Sequence, residues 1–174
     1  VTARHVVLAA GSWSGQIAIE GVPPLPVRPV RGQLLRLAWD GPALNRIVWA
    51  SRCYLVPAGA RAVLVGATVE DAGFDERATV AGVRDLLEGA CGLVPHFRQA
   101  SFEGARVGLR PATADEMPII GRSAKIRGLV YATGHYRNGV LLAPLTARAV
   151  ADLVLDGRED PLLAGTSPQR FGEY

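Results

Sequence analysis

One arginine, Arg110, lies at a position from which its side chain could bind a ligand. Arg110 lies in the motif Gly108-Leu-Arg-Pro111, at the predicted end of a strand, and the proline after it stops the strand ladder. A guanidinium held in this way can bind a carboxylate through two parallel hydrogen bonds, which is the geometry that small acidic or amino-acid ligands require. The alternative is an ordinary surface arginine, since charged side chains are mostly exposed. The motif by itself leaves both interpretations open.

A glycine-rich turn, Gly134-His-Tyr-Arg-Asn-Gly139, is the second candidate. It lies between a predicted strand and a predicted helix, where backbone N–H groups and the positive helix end favour an anion. The alternative is a silent connecting loop. The chain has neither a P-loop nor a GxGxxG motif. His135 and Arg137 have no carboxylate partner by sequence, and Ser12 and Ser14 lie outside any GxSxG motif, so no hydrolytic triad is predicted.

The composition excludes several classes of protein. The 174 residues are 49% hydrophobic and 20% charged, which is typical of globular domains and excludes disordered, collagen-like and coiled-coil chains. The net charge of +3 comes from arginines spread along the chain, and aromatic residues make up only 6%, so no nucleic-acid-binding stripe is predicted. Cys53 and Cys91 stand alone, which predicts no metal site and no disulfide framework. We expect a reduced, cytoplasmic protein.

Hydrophobic patterning predicts buried strands near both ends of the chain and an antiparallel region between them. Continuous apolar runs are typical of the first and last strands, and alternation is clearest in the second. In the antiparallel region Tyr54 faces either the core or a pocket, and Arg28 and Arg31 are expected on an exposed strand face or between domains. The predicted strands are His5–Ala10, Val27–Trp39, Ile47–Pro57, Ala62–Thr68, Ser101–Leu109 and Gly128–Thr133.

Two helices are predicted from the 3.6-residue period. The first covers about residues 76–91, with Asp75 as its cap. The second begins near residues 140–142 and ends near Leu155, because Pro144 is tolerated only in a first turn. Its polar stripe is narrow, so most of its circumference is expected to be buried. Charged residues interrupt it, and it is too short for a clean membrane span.

The order of these elements predicts two domains. Alternating strands lie between two buried α/β pieces, so the first domain is expected to be completed by both ends of the chain. Residues 161–174 indicate a polar C-terminal tail, and Asp115-Glu116 indicates a solvated turn. The chain begins at Val1 directly in an apolar run and its only methionine is Met117, so we expect a piece of a longer protein.

Taken together and in order, the motifs are specific. Their succession resembles the C-terminal half of the D-amino acid oxidase superfamily of FAD enzymes, and within it the glycine oxidase group of thiamine biosynthesis. The resemblance covers the chain from Val6 to about Leu155. The motifs are Val6-Val-Leu-Ala-Ala-Gly-Ser-Trp-Ser14, Pro29-Val-Arg-Gly-Gln33, Tyr54-Leu-Val-Pro57, Val65-Gly-Ala-Thr68, Gly108-Leu-Arg-Pro111, Pro118-Ile-Ile-Gly121 and Gly134-His-Tyr-Arg-Asn-Gly-Val-Leu-Leu-Ala-Pro144.

The resemblance implies a mixed fold class, α/β together with α+β. Part of a Rossmann-like FAD-binding domain is formed by residues 1–22 and 107–160, and an antiparallel-sheet substrate domain, residues 23–106, is inserted between them. Residues 161–174 remain the C-terminal tail. The glycine-rich GxGxxG turn of the family, which holds the FAD pyrophosphate, does not occur in this sequence. The chain alone is therefore expected to bind FAD poorly and to be inactive.

The resemblance also implies roles for individual residues. Arg110 resembles the arginine that pairs with the substrate carboxylate, with Tyr54 as a hydroxyl partner and Arg137 as a second arginine near substrate and flavin. The implied cofactor-binding residues are Gly11, Trp13, His135, Tyr136, Arg137, Asn138, Gly139, Val140 and Leu141. The cofactor is expected to be noncovalent FAD, because Val107–Pro111 has no cysteine of the kind that sarcosine oxidases attach to flavin.

The chemistry implied by the resemblance is oxidation of a small amino acid. The substrate would lose two electrons to the flavin, the imine would be hydrolysed to a 2-oxo acid and ammonia, and dioxygen would yield hydrogen peroxide. No catalytic side chain is assigned, since the flavin carries the chemistry. We expect a homo-oligomer as the intact protein. The alternatives are a D-amino acid dehydrogenase, a sarcosine-type oxidase of the same superfamily, or a non-catalytic binding module.

Overall fold

The computed structural model describes residues 2–174, which form eight strands, two α-helices and four 3-10 helices. The 3-10 helices cover Gly11–Gln16, Pro95–Gln99, Pro161–Thr166 and Pro168–Phe171. The longer elements are β1 (Val6–Leu8), β2 (Arg28–Ala38), β3 (Val48–Trp49), β4 (Tyr54–Pro57), β5 (Ala62–Gly66), α1 (Val80–Leu93), β6 (Ser101–Ala112), β7 (Ile119–Arg122), β8 (Leu129–Thr133) and α2 (Gly139–Leu155).

The chain divides into two compact units. Unit 1 combines the described residues up to Val30 with Arg110–Tyr174, and unit 2 is the contiguous segment Arg31–Leu109. The sequence predicts domain boundaries after residues 22 and 106. In the structure the boundaries between the two units lie inside β2 and β6, after Val30 and Leu109. The difference at the first boundary arises because Leu25 and Val27, beyond the proline-rich break, are buried in the core of unit 1. The FAD-binding and substrate roles assigned to the two domains stay predictions.

Unit 1 is built on a three-stranded sheet in the order β1-β8-β7. β1 and β8 are parallel, with Val6 opposite Leu129, and β7 is antiparallel to β8. The central strand β8 follows the pattern predicted for a buried strand, since Val130 and Tyr131 are completely buried. The core around this sheet includes Leu8, Leu25, Val27, Ile119, Leu129, Tyr131 and Tyr174.

Unit 2 contains the five-stranded sheet β3-β4-β5-β2-β6, in which β3, β4, β5 and β2 pair antiparallel in that order. Helix α1 and the 3-10 helix Pro95–Gln99 close its core, to which Leu35, Leu55 and Val65 contribute fully buried side chains. The single strand predicted over Ile47–Pro57 is two strands, β3 and β4, because residues 50–53 turn the chain between them. β6 extends past Pro111, which is compatible with its place at the sheet edge.

Helix α1 begins later than the sequence predicts. Its cap is Thr79, whose hydroxyl accepts from the Gly82 N–H at 3.2 Å, and not Asp75. Asp75 instead accepts hydrogen bonds from the backbone and the guanidinium of Arg77. This local pairing gives the carboxylate of Asp75 another partner, so the helix starts four residues further on than expected.

Helix α2 also departs from expectation. Only Ala149 and Leu153 are buried along its length, while Val140, Leu141 and Leu155 are 94%, 78% and 80% exposed. The predicted burial of most of its circumference is therefore wrong for this structure, because the three-stranded sheet covers one narrow face of the helix. Pro144 lies inside the helix, near its start. Within residues 2–174, none of the helices combines the length and apolar character needed to cross a membrane.

The C-terminal segment is packed against unit 1 and is not a polar tail. Thr166, Pro168 and Tyr174 are buried, and the Tyr174 hydroxyl donates to the Pro24 carbonyl at 3.3 Å. The apolar side chains in this segment are spaced too irregularly to show a helix or strand period, which is why the sequence pattern does not predict the packing.

Candidate functional site

Several of the predicted site residues follow the carboxyl ends of the parallel strands β1 and β8 in unit 1. These strand ends form one edge of the sheet. Because β1 and β8 are parallel, Gly11 after β1 and Thr133 at the end of β8 lie at the same sheet edge. The Thr133 hydroxyl donates to the Gly11 carbonyl at 3.1 Å, and the Ser14 hydroxyl lies 2.8 Å from Thr133 Oγ1. Both hydroxyl side chains are buried. These bonds hold the two strand ends in a fixed register.

Gly11 and Trp13 occupy the 3-10 helix that follows β1. Gly11 has a φ of +55°, and a Cβ at this position would meet nothing within 4 Å, so its backbone conformation and not its size requires glycine. Trp13 is 45% exposed, and its N–H donates to the Ala10 carbonyl at 3.1 Å. Both residues therefore lie at the sheet edge described above. Their predicted contact with a cofactor stays a prediction.

The turn Gly134–Gly139 starts at this edge and packs against the end of β6. Gly134 has a φ of +77°, and a Cβ there would lie 2.9 Å from the Thr113 methyl group. Tyr136 also has a left-handed backbone, with a φ of +49°, and its N–H donates to the Pro111 carbonyl at 2.8 Å. The motif that contains Arg110 and the glycine-rich turn are therefore adjacent in unit 1.

The two candidate arginines differ in their surroundings. Arg110 is half-buried, one residue before the carbonyl that accepts from Tyr136. Arg137 is exposed, with its guanidinium carbon 6.0 Å from the centre of the Tyr136 ring. A half-buried guanidinium loses less by binding a carboxylate than one that is fully hydrated, so the structure favours Arg110 over Arg137 as the stronger anion ligand.

His135 is held by helix α2. Its Nε2 lies 2.9 Å from the Thr146 hydroxyl, and burial lowers the pKa of the imidazole below its ordinary value. The ring is therefore neutral at pH 7. It lines a shallow groove of about 310 Å³ along α2, and the other lining residues are nearly all small: Ala9, Ala132, Gly139, Ala143, Thr146, Ala147 and Val150.

The start of α2 presents donors and apolar surface together. Asn138 precedes the helix, and its side chain does not cap it. The backbone N–H groups of a first helical turn have no partner within the helix. The first helical bond runs from the Leu142 N–H to the Asn138 carbonyl at 2.8 Å. Val140 and Leu141 project from this turn into solvent. An uncapped helix start beside apolar side chains suits a planar, partly apolar ligand with one anionic edge.

Tyr54 belongs to unit 2 and is held by an aromatic neighbour. Its ring stacks on Trp49, with centroids 5.0 Å apart and 28° between the planes. On β5, which pairs with β4, Gly66 lies under this ring, and a Cβ at Gly66 would overlap the Tyr54 hydroxyl and ring. The side chain is half-buried, so neither of the two sequence interpretations, core or pocket, is complete.

Unit 2 contains a partly buried polar network that the sequence did not predict. Arg31, expected on an exposed strand face or between domains, has a side chain only 8% exposed, and its Nε donates to Glu70 Oε2 at 3.0 Å. The Gln33 amide donates to Glu70 Oε1 at 2.8 Å and to the Thr79 hydroxyl at 2.9 Å. Burial alone raises the pKa of Glu70, but hydrogen bonds from Thr68, Arg31 and Gln33 outweigh it and lower the pKa. No sequence spacing links these residues, which come from β2 and the segment before α1.

Comparison with known proteins places the chain in a family. Residues 1–153 match the model of the DAO family, described as FAD dependent oxidoreductase. The chain is 44% identical over 168 residues to the bifunctional protein ThiO/ThiG of Nostoc sp.. This match covers 94% of the chain and 25% of that protein. It is 41% identical over 153 residues to the glycine oxidase of Geobacillus kaustophilus, which covers 87% of the chain and 41% of the oxidase.

Solved structures agree with the predicted fold class. The crystal structure of the Geobacillus kaustophilus glycine oxidase matches with a TM-score of 0.88 and 40% identity, over 95% of this chain and 45% of that chain. The iminodiacetate oxidase of Chelativorans sp. matches with a TM-score of 0.89 and 32% identity, over 97% of this chain and 47% of that chain. The predicted α/β FAD-binding fold is confirmed.

The chain spans about a quarter of the bifunctional relatives and about two fifths of the glycine oxidase it matches. In the bifunctional relatives the matched region is in the N-terminal portion. Members of the family depend on FAD. On the family match and these identities, this chain belongs to the family of FAD-dependent oxidoreductases.

Proposed function

We propose that this chain supplies the substrate-binding arginine and the flavin-facing turn of an amino acid oxidase that acts on glycine or a similarly small amine-bearing acid. The observation that carries the proposal is the hydrogen bond from the Tyr136 N–H to the Pro111 carbonyl, because it holds the strand end with Arg110 against the turn. The names of two relatives, glycine oxidase and iminodiacetate oxidase, support a substrate that is both an amine and a carboxylate.

Arg110 is proposed to bind the substrate carboxylate through two N–H groups. A bidentate pair fixes both the position and the plane of the carboxylate, which a single point charge cannot do. Arg137, exposed on the turn, is proposed as a second cation near the substrate. Tyr54 is proposed as a further substrate-binding residue on the strength of its motif, with its ring held by Trp49.

The residues proposed to hold FAD fit such a group. The uncapped start of α2 offers backbone donors, and Val140 and Leu141 beside it offer apolar surface. The proposed set is completed by Gly11, Trp13, His135, Tyr136, Arg137, Asn138 and Gly139. When bound, FAD supplies the redox chemistry, taking two electrons from the substrate and passing them to dioxygen. The positive end of α2 favours negative charge at this place, and His135, being neutral, adds no charge of its own.

The proposed reaction balances without a catalytic side chain. One glycine, one water and one dioxygen yield one glyoxylate, one ammonia and one hydrogen peroxide. The chain's contribution is to hold the carboxylate so that the α-carbon faces the cofactor, and this orientation accounts for a large part of the rate acceleration in reactions of this kind. No residue is assigned as a general base. The Nε2 of His135 is occupied by the Thr146 hydroxyl.

The test uses the full-length protein that contains this chain. We expect a flavin absorption spectrum, bleaching of that spectrum by glycine without oxygen, and equal amounts of peroxide and ammonia in air. Acid precipitation should release the flavin, since the attachment is proposed to be noncovalent. Sarcosine, D-alanine and iminodiacetate serve as comparison substrates, each assayed at the same concentration as glycine.

Each alternative function has its own signature in this test. Bleaching by an amino acid with no peroxide in air would indicate a dehydrogenase. A clear preference for sarcosine would indicate a sarcosine-type oxidase. A colourless protein that binds no FAD when the cofactor is added would overturn the proposal in favour of a binding module.

A further inference from the structure

We infer that Arg170, in the C-terminal segment, is a positioning residue that holds the turn at residues 113–117 and, through it, the Arg110 motif against the turn Gly134–Gly139. The inference rests on the proposed function, because it assigns a task to Arg170 within that site.

Arg170 uses every one of its guanidinium N–H groups. Its Nε donates to Asp115 Oδ2 at 2.7 Å, and its Nη2 donates to Asp115 Oδ1 at 3.2 Å and to the Met117 carbonyl at 2.8 Å. Its Nη1 donates to the carbonyls of Thr166 and Ser167 at 2.9 and 3.0 Å. The side chain is 19% exposed. An arginine with this set of partners connects two chain segments in one defined geometry, which a lysine cannot reproduce.

Asp115 connects Arg170 to the rest of the turn at residues 113–117. Its Oδ1 also accepts from the Thr113 hydroxyl at 2.9 Å and from the Met117 N–H at 3.1 Å. The hydrogen bonds from Arg170 hold the pKa of this carboxyl well below its usual range, so the group is ionised at neutral pH. Asp115 lies in a solvated turn, as the sequence indicates, with its side chain 40% exposed. Its carboxylate also closes the turn and joins it to the C-terminal segment.

Thr113 connects the turn to the proposed site. It is 1% exposed, and its methyl group lies where a side chain on Gly134 would be. Thr113 follows Pro111 by two residues, and the Pro111 carbonyl accepts the Tyr136 N–H. A shift of the 113–117 turn therefore moves one wall of the Gly134–Gly139 turn together with the acceptor that anchors it. Arg170 is placed to prevent that shift.

The ion pairs of Arg158, also in unit 1, do not share this arrangement. Arg158 pairs with Asp152 and Asp156 at 3.2 and 2.9 Å, but its side chain is 68% exposed and its partners lie on or next to α2. Such a surface pair contributes little to structure. Arg170 also lies beyond residue 153, where the match to the family model ends. The family motifs therefore could not have indicated it.

The experiment compares Arg170→Gln and Asp115→Asn with Arg158→Gln as the matched control, all in the full-length protein. The first readout is amide hydrogen exchange at Tyr136, whose N–H reports directly on the bond to Pro111. We expect exchange at Tyr136 to be at least about tenfold faster in Arg170→Gln and in Asp115→Asn. The double variant should exchange no faster than either single variant, because both substitutions break the same interaction. The control should exchange at the rate of the unaltered protein. Arg170→Lys should not restore the slow exchange.

The second readout separates binding from turnover. In the first two variants we expect the KM for glycine to rise about fivefold or more while kcat changes by less than about twofold, since the carboxylate partner is displaced and not removed. Faster exchange with an unchanged KM would overturn the link to the site. Unchanged Tyr136 exchange in a folded Arg170→Gln or Asp115→Asn protein would overturn the inference itself.

The failure of the proposed function is distinguishable from the failure of this inference. If the unaltered protein does not oxidise glycine, the proposed function fails, while the exchange at Tyr136 still decides whether Arg170 restrains the turn. If Arg170→Gln does not fold, the exchange at Tyr136 in Asp115→Asn and Arg170→Lys tests whether Arg170 restrains the turn, because both variants retain most of the packing of the C-terminal segment.

Discussion

The backbone N–H of Tyr136 donates to the carbonyl oxygen of Pro111 at a distance of 2.8 Å. This bond joins the segment Arg110-Pro111 to the glycine-rich turn before α2, so residues from two motifs that are separate in the sequence lie together in unit 1. A residue with a left-handed backbone makes the bond, since Tyr136 has a φ of +49°. Such conformations are uncommon outside glycine and are found where the surrounding structure holds them in place.

Replacing Arg110 should weaken substrate binding. For Arg110→Ala in the full-length protein, we expect the KM for glycine to rise about 30-fold or more, because loss of a charge-assisted bidentate contact costs about 2 kcal/mol or more. Arg110→Lys should recover only part of this, since lysine offers a single point of charge. Arg106→Ala, at an exposed position of the same strand, serves as the control. Steady-state kinetics measure the effect, and an unchanged KM in Arg110→Ala contradicts the assigned role.

Replacing Gly66 should displace Tyr54. A Cβ at Gly66 overlaps the Tyr54 ring and hydroxyl, so Gly66→Ala should break the stacking of Tyr54 on Trp49. The near-ultraviolet circular dichroism and tryptophan emission should both change, and the KM for glycine should rise as far as in Tyr54→Phe. Gly92→Ala is the matched control, because a Cβ there meets nothing within 4 Å. Spectra of Gly66→Ala identical to those of the unaltered protein would refute this prediction.

Replacing Gly134 should destabilise unit 1. The residue has a φ of +77°, and an added Cβ would come within 2.9 Å of the Thr113 methyl group. We expect Gly134→Ala to lower the unfolding free energy by about 1–3 kcal/mol, through backbone strain and crowding together. Gly165→Ala, where a Cβ meets nothing within 4 Å, should be nearly neutral. Urea denaturation of both variants measures the difference, and equal midpoints contradict it.

Replacing Thr79 should loosen the start of α1. Its hydroxyl caps the helix at the Gly82 N–H and also accepts from the Gln33 amide at 2.9 Å. Thr79→Ala should therefore cost about 1 kcal/mol for the lost cap, and more where the Gln33 donor is left without this partner. Thr79→Ser keeps the hydroxyl and should retain most of the stability. Hydrogen exchange in the first turn of α1 distinguishes the two variants, and equal rates would rule out the capping role.

The burial of His135 predicts a dependence of stability on pH. Burial lowers the pKa of this imidazole in the folded protein, so the unfolded chain binds a proton more readily. Stability should be complete above the unfolded pKa of about 6.5 and should fall as the pH is lowered through that value towards the folded pKa. His135→Gln should reduce the decrease in Tm between about pH 7 and pH 5. The same decrease in both proteins would show that another group is responsible.

The sequence predicts those features that depend on local patterns. The strand before Gly134 is buried as predicted, and the family fold follows from the motifs. The apolar run before Gly11 forms a strand, but the prediction that this strand is buried is wrong, because Val6 and Val7 are 56% and 41% exposed and only Leu8 is buried. The start of α1 is missed because Asp75 pairs with Arg77 instead of capping the helix. A local pattern therefore predicts the strand, but it does not show which of two nearby residues, Asp75 or Thr79, caps the helix.

Features that depend on contacts between residues far apart in the chain cannot be predicted from local sequence patterns. Arg31 is indistinguishable from an exposed strand arginine until Glu70 is placed beside it. Arg170 and Asp115 are separated by 55 residues and share no motif. Helix α2 has the composition of a buried helix, yet Val140 and Leu141 are exposed, because the number of elements that pack on a helix is a property of the assembled unit.

The parallel pairing of β1 with β8 also bears on how the chain assembles during synthesis. Val6 pairs with Leu129, so the sheet of unit 1 cannot close until Leu129 has left the ribosome, whereas unit 2 is contiguous and complete at Leu109. Closing a loop of this length costs conformational entropy before any contact compensates for it. Until then, the apolar side chains of β1 lack the strand with which they pair, so they are open to non-specific contacts in the nascent chain.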